Sequence, residues 1–322
     1  LCRGTDVAGG ILQIGEDMGA FAQVSWIDVV NGTYTTGGDM MVNPHITGNA
    51  VPTDLGNIAV GSAEALVTVT NLVPYDEVGQ SSVTYLVPAL LKLLADNPGV
   101  PVVVTGHSLG GAITQVVAPY LAYAIAQNNN ENPNNQISTT VIPHAFAPPT
   151  VGDADFAKKY QSVYGSGGQF WVNSADLIPC AWADLDNIDS LWHTYSWPGP
   201  TYPPTPHSEW GPTVIGPATR VNNVEQDALV AAVKKVLSLR KVSYAQPASI
   251  VTLTASKTLP TKAMMQTFLN GIGADSSSWY TFGAVLQYQH IPSSEQYYTL
   301  IGALDPQPLA YGPITLPSGP AA

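Results

Sequence analysis

Charge is scarce in this sequence. Asp, Glu, Lys and Arg make up 11% of its 322 residues, against about a quarter in an ordinary globular domain. Positive charge is scarcer still: 11 Lys and Arg stand against 23 Asp and Glu, a formal net charge of −12 and a pI of about 4.6. A chain this acidic is repelled by phosphate backbones, which argues against nucleic-acid binding. Cysteine is nearly absent. Two residues, Cys2 and Cys180, exclude both a disulfide scaffold and a zinc cluster. Long apolar runs are lacking too. The longest candidate, residues 116–126, is interrupted by Pro119, Tyr120 and Tyr123, and is about half of the ~20 residues a membrane span needs. The chain does not begin with Met and carries no signal peptide, which says little about export.

What is present is hydrophobic and turn-rich. Hydrophobic residues reach 45%, with 29 Gly, 27 Pro, 15 Tyr and 7 Trp. That composition disfavours disorder, which goes with low hydrophobicity and dense charge. The chain is long enough to bury a core without staples. No linker is evident, so a single domain over 1–322 is expected. Two polar stretches, 127–136 and 197–217, read as loops.

The middle of the chain alternates strands and helices. Val83, Leu86, Leu90, Leu93 and Leu94 recur at helical spacing, predicting a helix over 82–94 that Asn97-Pro98-Gly99 stops. Residues 101–105 are dominated by Val102, Val103 and Val104, a strand buried on both faces. Helical phase returns over 112–125. Further strands are expected at 139–146 and 169–173, and helices at 224–239, 262–269 and 279–288. Such alternation predicts a mostly parallel sheet covered by helices on both faces.

Between the valine strand and the helix after it lies Gly106-His107-Ser108-Leu109-Gly110. A serine in a tight strand-to-helix turn is held in strained backbone geometry, its hydroxyl presented above the sheet. Glycines two residues to either side remove Cβ atoms that would collide in the reversal. The helix N-terminus favours negative charge, so the amide of Leu109 is the natural first donor to an oxyanion. Ser108 is therefore the candidate nucleophile.

The stretch Val102-Val103-Val104-Thr105-Gly106-His107-Ser108-Leu109-Gly110-Gly111 resembles the nucleophile turn of class 3 lipases, the fungal-lipase-like branch of the α/β-hydrolases. Phe146-Ala147-Pro148-Pro149-Thr150-Val151-Gly152-Asp153 is similar to the family segment Phe-Gly-x-Pro-Arg-Val-Gly-Asp, with Ala147 for Gly and Thr150 for Arg. Residues 170–179 resemble its strand ending in Asn-x-x-Asp-x-Val-Pro, and residues 1–5 its strand ending in Arg-Gly-Thr. The resemblance covers roughly residues 1–180. It implies an α/β-hydrolase whose N-terminal strands are missing from this chain, a serine carboxylic-ester hydrolase acting on triacylglycerols or related lipid esters, with a lipid–water interface as a candidate partner and no metal or cofactor. It also implies secretion. A soluble carboxylesterase of feruloyl type and a catalytically silent lipid-binding relative are the alternatives.

Such enzymes place an acid and then a histidine after the serine in chain order. Asp176 follows a short apolar strand and precedes Ile178-Pro179, which suits an acid at the C-terminal end of a sheet strand. Its rivals Asp184, Asp186 and Asp189 lack such a strand; Asp153 and Asp155 read as helix starts. For the base, the resemblance favours His290, near the C-terminus and followed by Tyr297, with His193 and His207 as alternatives. The long interval between Asp176 and His290 implies an insertion, expected over 181–275. His107 reads as a buried hydrogen-bonding residue facing away from the nucleophile, while His45 and His144 fall in the wrong places. Thr5 is, by resemblance, the second oxyanion donor. Residues 9–26, apolar and weakly charged, are the lid candidate, with an ordinary core helix as the equal alternative. Cys2 and Cys180 are not expected to pair, since in the family's sheet their strands are not neighbours. Asn31-Gly32-Thr33 matches a glycosylation sequon.

Overall fold

The three valines open the strand on which the rest of the fold is assembled. A computed structural model of the chain describes residues 19–36, 54–73, 85–165, 167–188, 224–247, 250–253, 262–271 and 288–290. Among them, β3 (Val102–His107), β4 (Val141–Phe146), β5 (Gln169–Asn173) and β6 (Ile250–Leu253) form one sheet in that order. Every pair is parallel, so helices must return the chain between strands. Ahead of them, β1 (Gln23–Ser25) and β2 (Asn57–Ala59) make a small antiparallel pair. It is tied to the loop after β4 by a bridge between Ile58 and Gly152.

The helices are α1 (Trp26–Val30), α2 (Val60–Thr70), α3 (Leu86–Asp96), α4 (Leu109–Glu131), α5 (Ala154–Tyr164), α6 (Val224–Arg240) and α7 (Lys262–Gly271). The longest, α4, lies across β3 and β4. Its Ala112, Val116, Tyr120 and Ala124 share the main core with Ala145 and Phe170 of the sheet, Ala63, Leu66 and Val67 of α2, and Val233 and Leu237 of α6. Its other side, with Ala118, Leu121 and Ile125, joins Leu94 and Val141 in a second cluster. Burying each Leu or Ile of this kind contributes about 1.5–3 kcal/mol. By length and composition α4 is apolar enough to cross a membrane, although the sequence showed no such run, but most of it is buried inside the protein.

Several boundaries differ from the sequence reading. β3 continues through His107 and α4 begins at Leu109, so the interval between the expected strand 101–105 and helix 112–125 shrinks to Ser108 alone. α4 also runs on to Glu131, through half of the stretch read as a loop, because Asn128 to Asn130 extend a helix already fixed by packing. The helix expected over 82–94 is seen as 86–96, and the strand over 139–146 as 141–146. β6 was not anticipated. It falls inside the expected insertion 181–275, yet it pairs with β5 as part of the main sheet, and α6 shares the main core. Of the lid candidate 9–26, residues 19–26 form a turn, β1 and the first residue of α1, with Ala20 and Trp26 buried in the core; residues 9–18 lie outside the described residues. So do the polar stretch 197–217 and most of the helix expected over 279–288.

Candidate active site

Ser108 is the single residue between β3 and α4. Its backbone sits at φ 59° and ψ −125°, a region L-residues avoid, at a cost of roughly 1–3 kcal/mol. Its N–H donates to the carbonyl of Phe146 at 2.9 Å, and its own carbonyl accepts from Ala112 at 3.0 Å. These bonds fasten the turn to the neighbouring strand and to the new helix. Gly106 is required by space: a Cβ there would lie 2.2 Å from the carbonyl oxygen of Gly110. The amide of Leu109 opens α4 and has no intrahelical carbonyl to reach.

Asp176 is set by the turn that ends β5. Asn173 closes that turn twice: its carbonyl accepts from Asp176 N at 2.9 Å, and its Oδ1 accepts from Ala175 N at 3.0 Å. One carboxylate oxygen of Asp176 accepts from Ile178 N at 2.9 Å. The other faces His290 Nδ1 at 2.8 Å. On the far side of the ring, His290 Nε2 lies 2.7 Å from Ser108 Oγ. A neutral imidazole with its proton on Nδ1 satisfies both contacts: it donates to Asp176, and its Nε2 lone pair accepts the serine hydroxyl. All three side chains are buried, at 5%, 1% and 1% exposure for Ser108, Asp176 and His290. Water competes weakly there, and charge interactions are correspondingly strong. The arrangement can deprotonate the serine and hold the resulting imidazolium against a fixed carboxylate.

His107 packs against His290, with ring centroids 4.8 Å apart. Its Nε2 donates to the carbonyl of His290 at 2.7 Å. Burial, and then the neighbouring His290, push its pKa down to about 3, against a smaller opposing effect from that hydrogen bond. The ring therefore stays neutral at ordinary pH. The sequence reading had this side chain facing away from the nucleophile; it reaches the partner of the nucleophile instead.

The other candidates sit elsewhere. Asp184 accepts from Asn187 N at 3.2 Å, at the head of the short helical turn 185–188. Asp186 is exposed and paired with Lys234. Asp153 caps α5, accepting from Phe156 N at 2.8 Å, and also holds the Asn57 side chain at 2.8 Å; Asp155 lies in the first turn of the same helix. His144 lies mid-strand in β4, opposite Gln169. Cys180 is a free, buried thiol whose pKa burial raises to about 12, with Asp176 and Asp184 adding to the rise and a hydrogen bond from Asn187 opposing it. Thr5, His45, Asp189, His193 and His207 lie outside the described residues. Among the described residues no cluster of His, Cys, Asp and Glu could hold a metal ion.

The sequence alone assigns no role to Asn173, which opens the Asn-x-x-Asp stretch, or to Gln289. Asn173 is fully buried, and its Nδ2 donates to the carbonyl of Gln289 at 2.9 Å. Its place three residues before Asp176 at a strand end was the available signal. Ala147, where the resembling family carries Gly, adopts φ 48°, and its amide donates to Trp171 O at 2.9 Å. The backbone there still needs the left-handed region that glycine enters most easily.

Residues 34–184 match the family model described as Lipase (class 3). No curated protein sequence matches the chain. Among solved structures, the crystal structure of M37 lipase is similar with a TM-score of 0.54 and 18% identity, over 93% of this chain and 67% of that one. The Lip2 lipase of Yarrowia lipolytica is 15% identical over 53% of this chain and 47% of its own, with a TM-score of 0.34. A propeptide complex of the Rhizomucor miehei lipase is 23% identical over 46% and 40%, with a TM-score of 0.28. The chain thus spans about two thirds of the first structure and under half of the other two, and the first alone bears on the fold. The matched segment, just under half of the chain, contains the Ser108 turn, the Asp176 turn and the three strands β3 to β5, and over it the chain is similar to class 3 lipases, with a parallel sheet and helices that fit the α/β-hydrolase fold.

Proposed function

We propose that Ser108, His290 and Asp176 are the nucleophile, general base and orienting acid of an acyl-enzyme mechanism acting on lipid esters. The observation that carries this reading is the continuous hydrogen-bonded series from Ser108 Oγ through both ring nitrogens of His290 to Asp176, at 2.7 and 2.8 Å. Ser108 Oγ attacks the ester carbonyl while its proton passes to His290 Nε2. Asp176 stabilises the imidazolium without itself taking the proton. The tetrahedral oxyanion is held by the amide of Leu109 and, by resemblance, by Thr5; losing such a donor typically costs about 2.7–4 kcal/mol. Collapse expels the alcohol, which takes the proton from His290. Water, deprotonated by His290, then attacks the acyl-enzyme, and the carboxylic acid leaves with Ser108 restored.

The family supports a lipid ester as substrate, and triacylglycerols are our assignment within that class. The low charge of the chain suits work at a lipid–water interface, and an extracellular setting fits such a substrate. The chain forms a single domain around this site.

The test is labelling with a fluorophosphonate, followed by hydrolysis of p-nitrophenyl esters of increasing acyl length with and without an emulsion. Wild type should be labelled at Ser108 and Ser108→Ala should not. Rates should rise with chain length and with the interface. An unlabelled wild type that still binds lipid would instead identify a silent lipid-binding relative. Labelling with a preference for short, dissolved esters would identify a soluble esterase.

A further inference from the structure

Two side chains outside the Ser108–His290–Asp176 set reach the backbone that carries His290. His107 Nε2 donates to the carbonyl oxygen of His290 at 2.7 Å. Asn173 Nδ2 donates to the carbonyl oxygen of Gln289 at 2.9 Å and lies 3.1 Å from its Oε1. Two consecutive carbonyls are thus held from two different strands. His107 ends β3, one residue before Ser108; Asn173 ends β5, three residues before Asp176. Each strand end supplies one partner of the imidazole and one holder of the backbone beneath it.

We infer that His107 and Asn173 are positioning residues that fix the backbone at 289–290, so that both ring nitrogens of His290 meet their partners at once. The inference rests on the proposed roles of Ser108 and Asp176. The orientation of each holder is itself determined. A carbonyl partner requires His107 to carry its proton on Nε2. The Oδ1 of Asn173 is occupied by Ala175 N, which turns its Nδ2 toward Gln289. The two carbonyls belong to buried residues, Gln289 and His290, where a carbonyl left without a donor is costly. A shift of about 1 Å in a reacting group lowers a rate by about 100-fold, so the rate should register the loss of either holder.

The experiment compares His107→Phe, which keeps a ring and removes the donor, with His107→Gln, which restores an N–H at similar reach, and with Asn173→Asp, which keeps the shape and replaces the donor by an acceptor. Hydrolysis of a short p-nitrophenyl ester gives kcat and KM. Proton NMR follows the most downfield imidazole N–H, that of His290 Nδ1 against Asp176. We expect kcat to fall by about 10- to 100-fold in His107→Phe and Asn173→Asp with KM nearly unchanged, the resonance to be lost or broadened in both, and His107→Gln to restore rate and resonance together. Wild-type kcat with an unchanged resonance in His107→Phe would overturn the inference. If that variant does not fold, the same result in Asn173→Asp overturns it. Should wild type hydrolyse no ester, the proposed function fails, and the resonance alone still decides the positioning role.

Discussion

At the scale of single residues, the site is a set of side chains held where solvent is scarce. Asp176→Asn should leave the geometry nearly intact but favour the wrong tautomer of His290. Its kcat is expected to fall by about 10³- to 10⁴-fold while KM changes little, as steady-state kinetics on a soluble ester will read. His107 gives a second expectation. Its folded pKa of about 3 lies below the ordinary histidine value of 6.5, so in the interval between them the unfolded chain binds a proton that the folded chain does not. The stability it contributes is fully present above pH 6.5 and is lost as pH falls toward 3. Between pH 6.5 and 4.5 urea titrations should show wild type losing up to about 2–3 kcal/mol more than His107→Phe. Ser108 and Asp176 were legible in the sequence because their surroundings are local: a valine strand and glycines for one, a strand end and Ile178-Pro179 for the other. The roles of His107 and Asn173 were not, because each is defined by a carbonyl more than a hundred residues away.

At the scale of elements, the strands were easier to read than their joints. β3 and β5 could be read from dense β-branched or aromatic runs. The start of α4 could not, because the glycine-rich segment Leu109-Gly110-Gly111 looks like a turn, and only the packed sheet beneath makes it helix. α2 escaped notice for a related reason. Its buried Ala63, Leu66, Val67 and Thr70 keep helical spacing, but Gly61, Ser62 and the further β-branched Val60, Thr68 and Val69 blur it. α5 shows a cap that serves more than its own helix, since Asp153 also holds Asn57 of β2. Asp153→Ala should lower stability by about 1–2 kcal/mol, seen as a lower urea midpoint with an unchanged slope, and should leave kcat as it was.

At the scale of the whole molecule, the segment that carries the family likeness ends at residue 184. The histidine that meets Ser108 lies far beyond it, 182 residues from the serine and 114 from Asp176. Contacts this distant in sequence form late, because the chain between them must be closed first. In refolding from urea, recovery of helix signal should therefore run ahead of fluorophosphonate reactivity, as parallel stopped-flow and quenched-labelling series would show. The separation also bears on synthesis. A ribosome that has released the first two hundred residues has released the serine and the acid but not the histidine. A growing or truncated chain that stops short of His290 then carries an unactivated hydroxyl, and under the proposed mechanism hydrolytic power arises only once the segment bearing His290 has been made and packed.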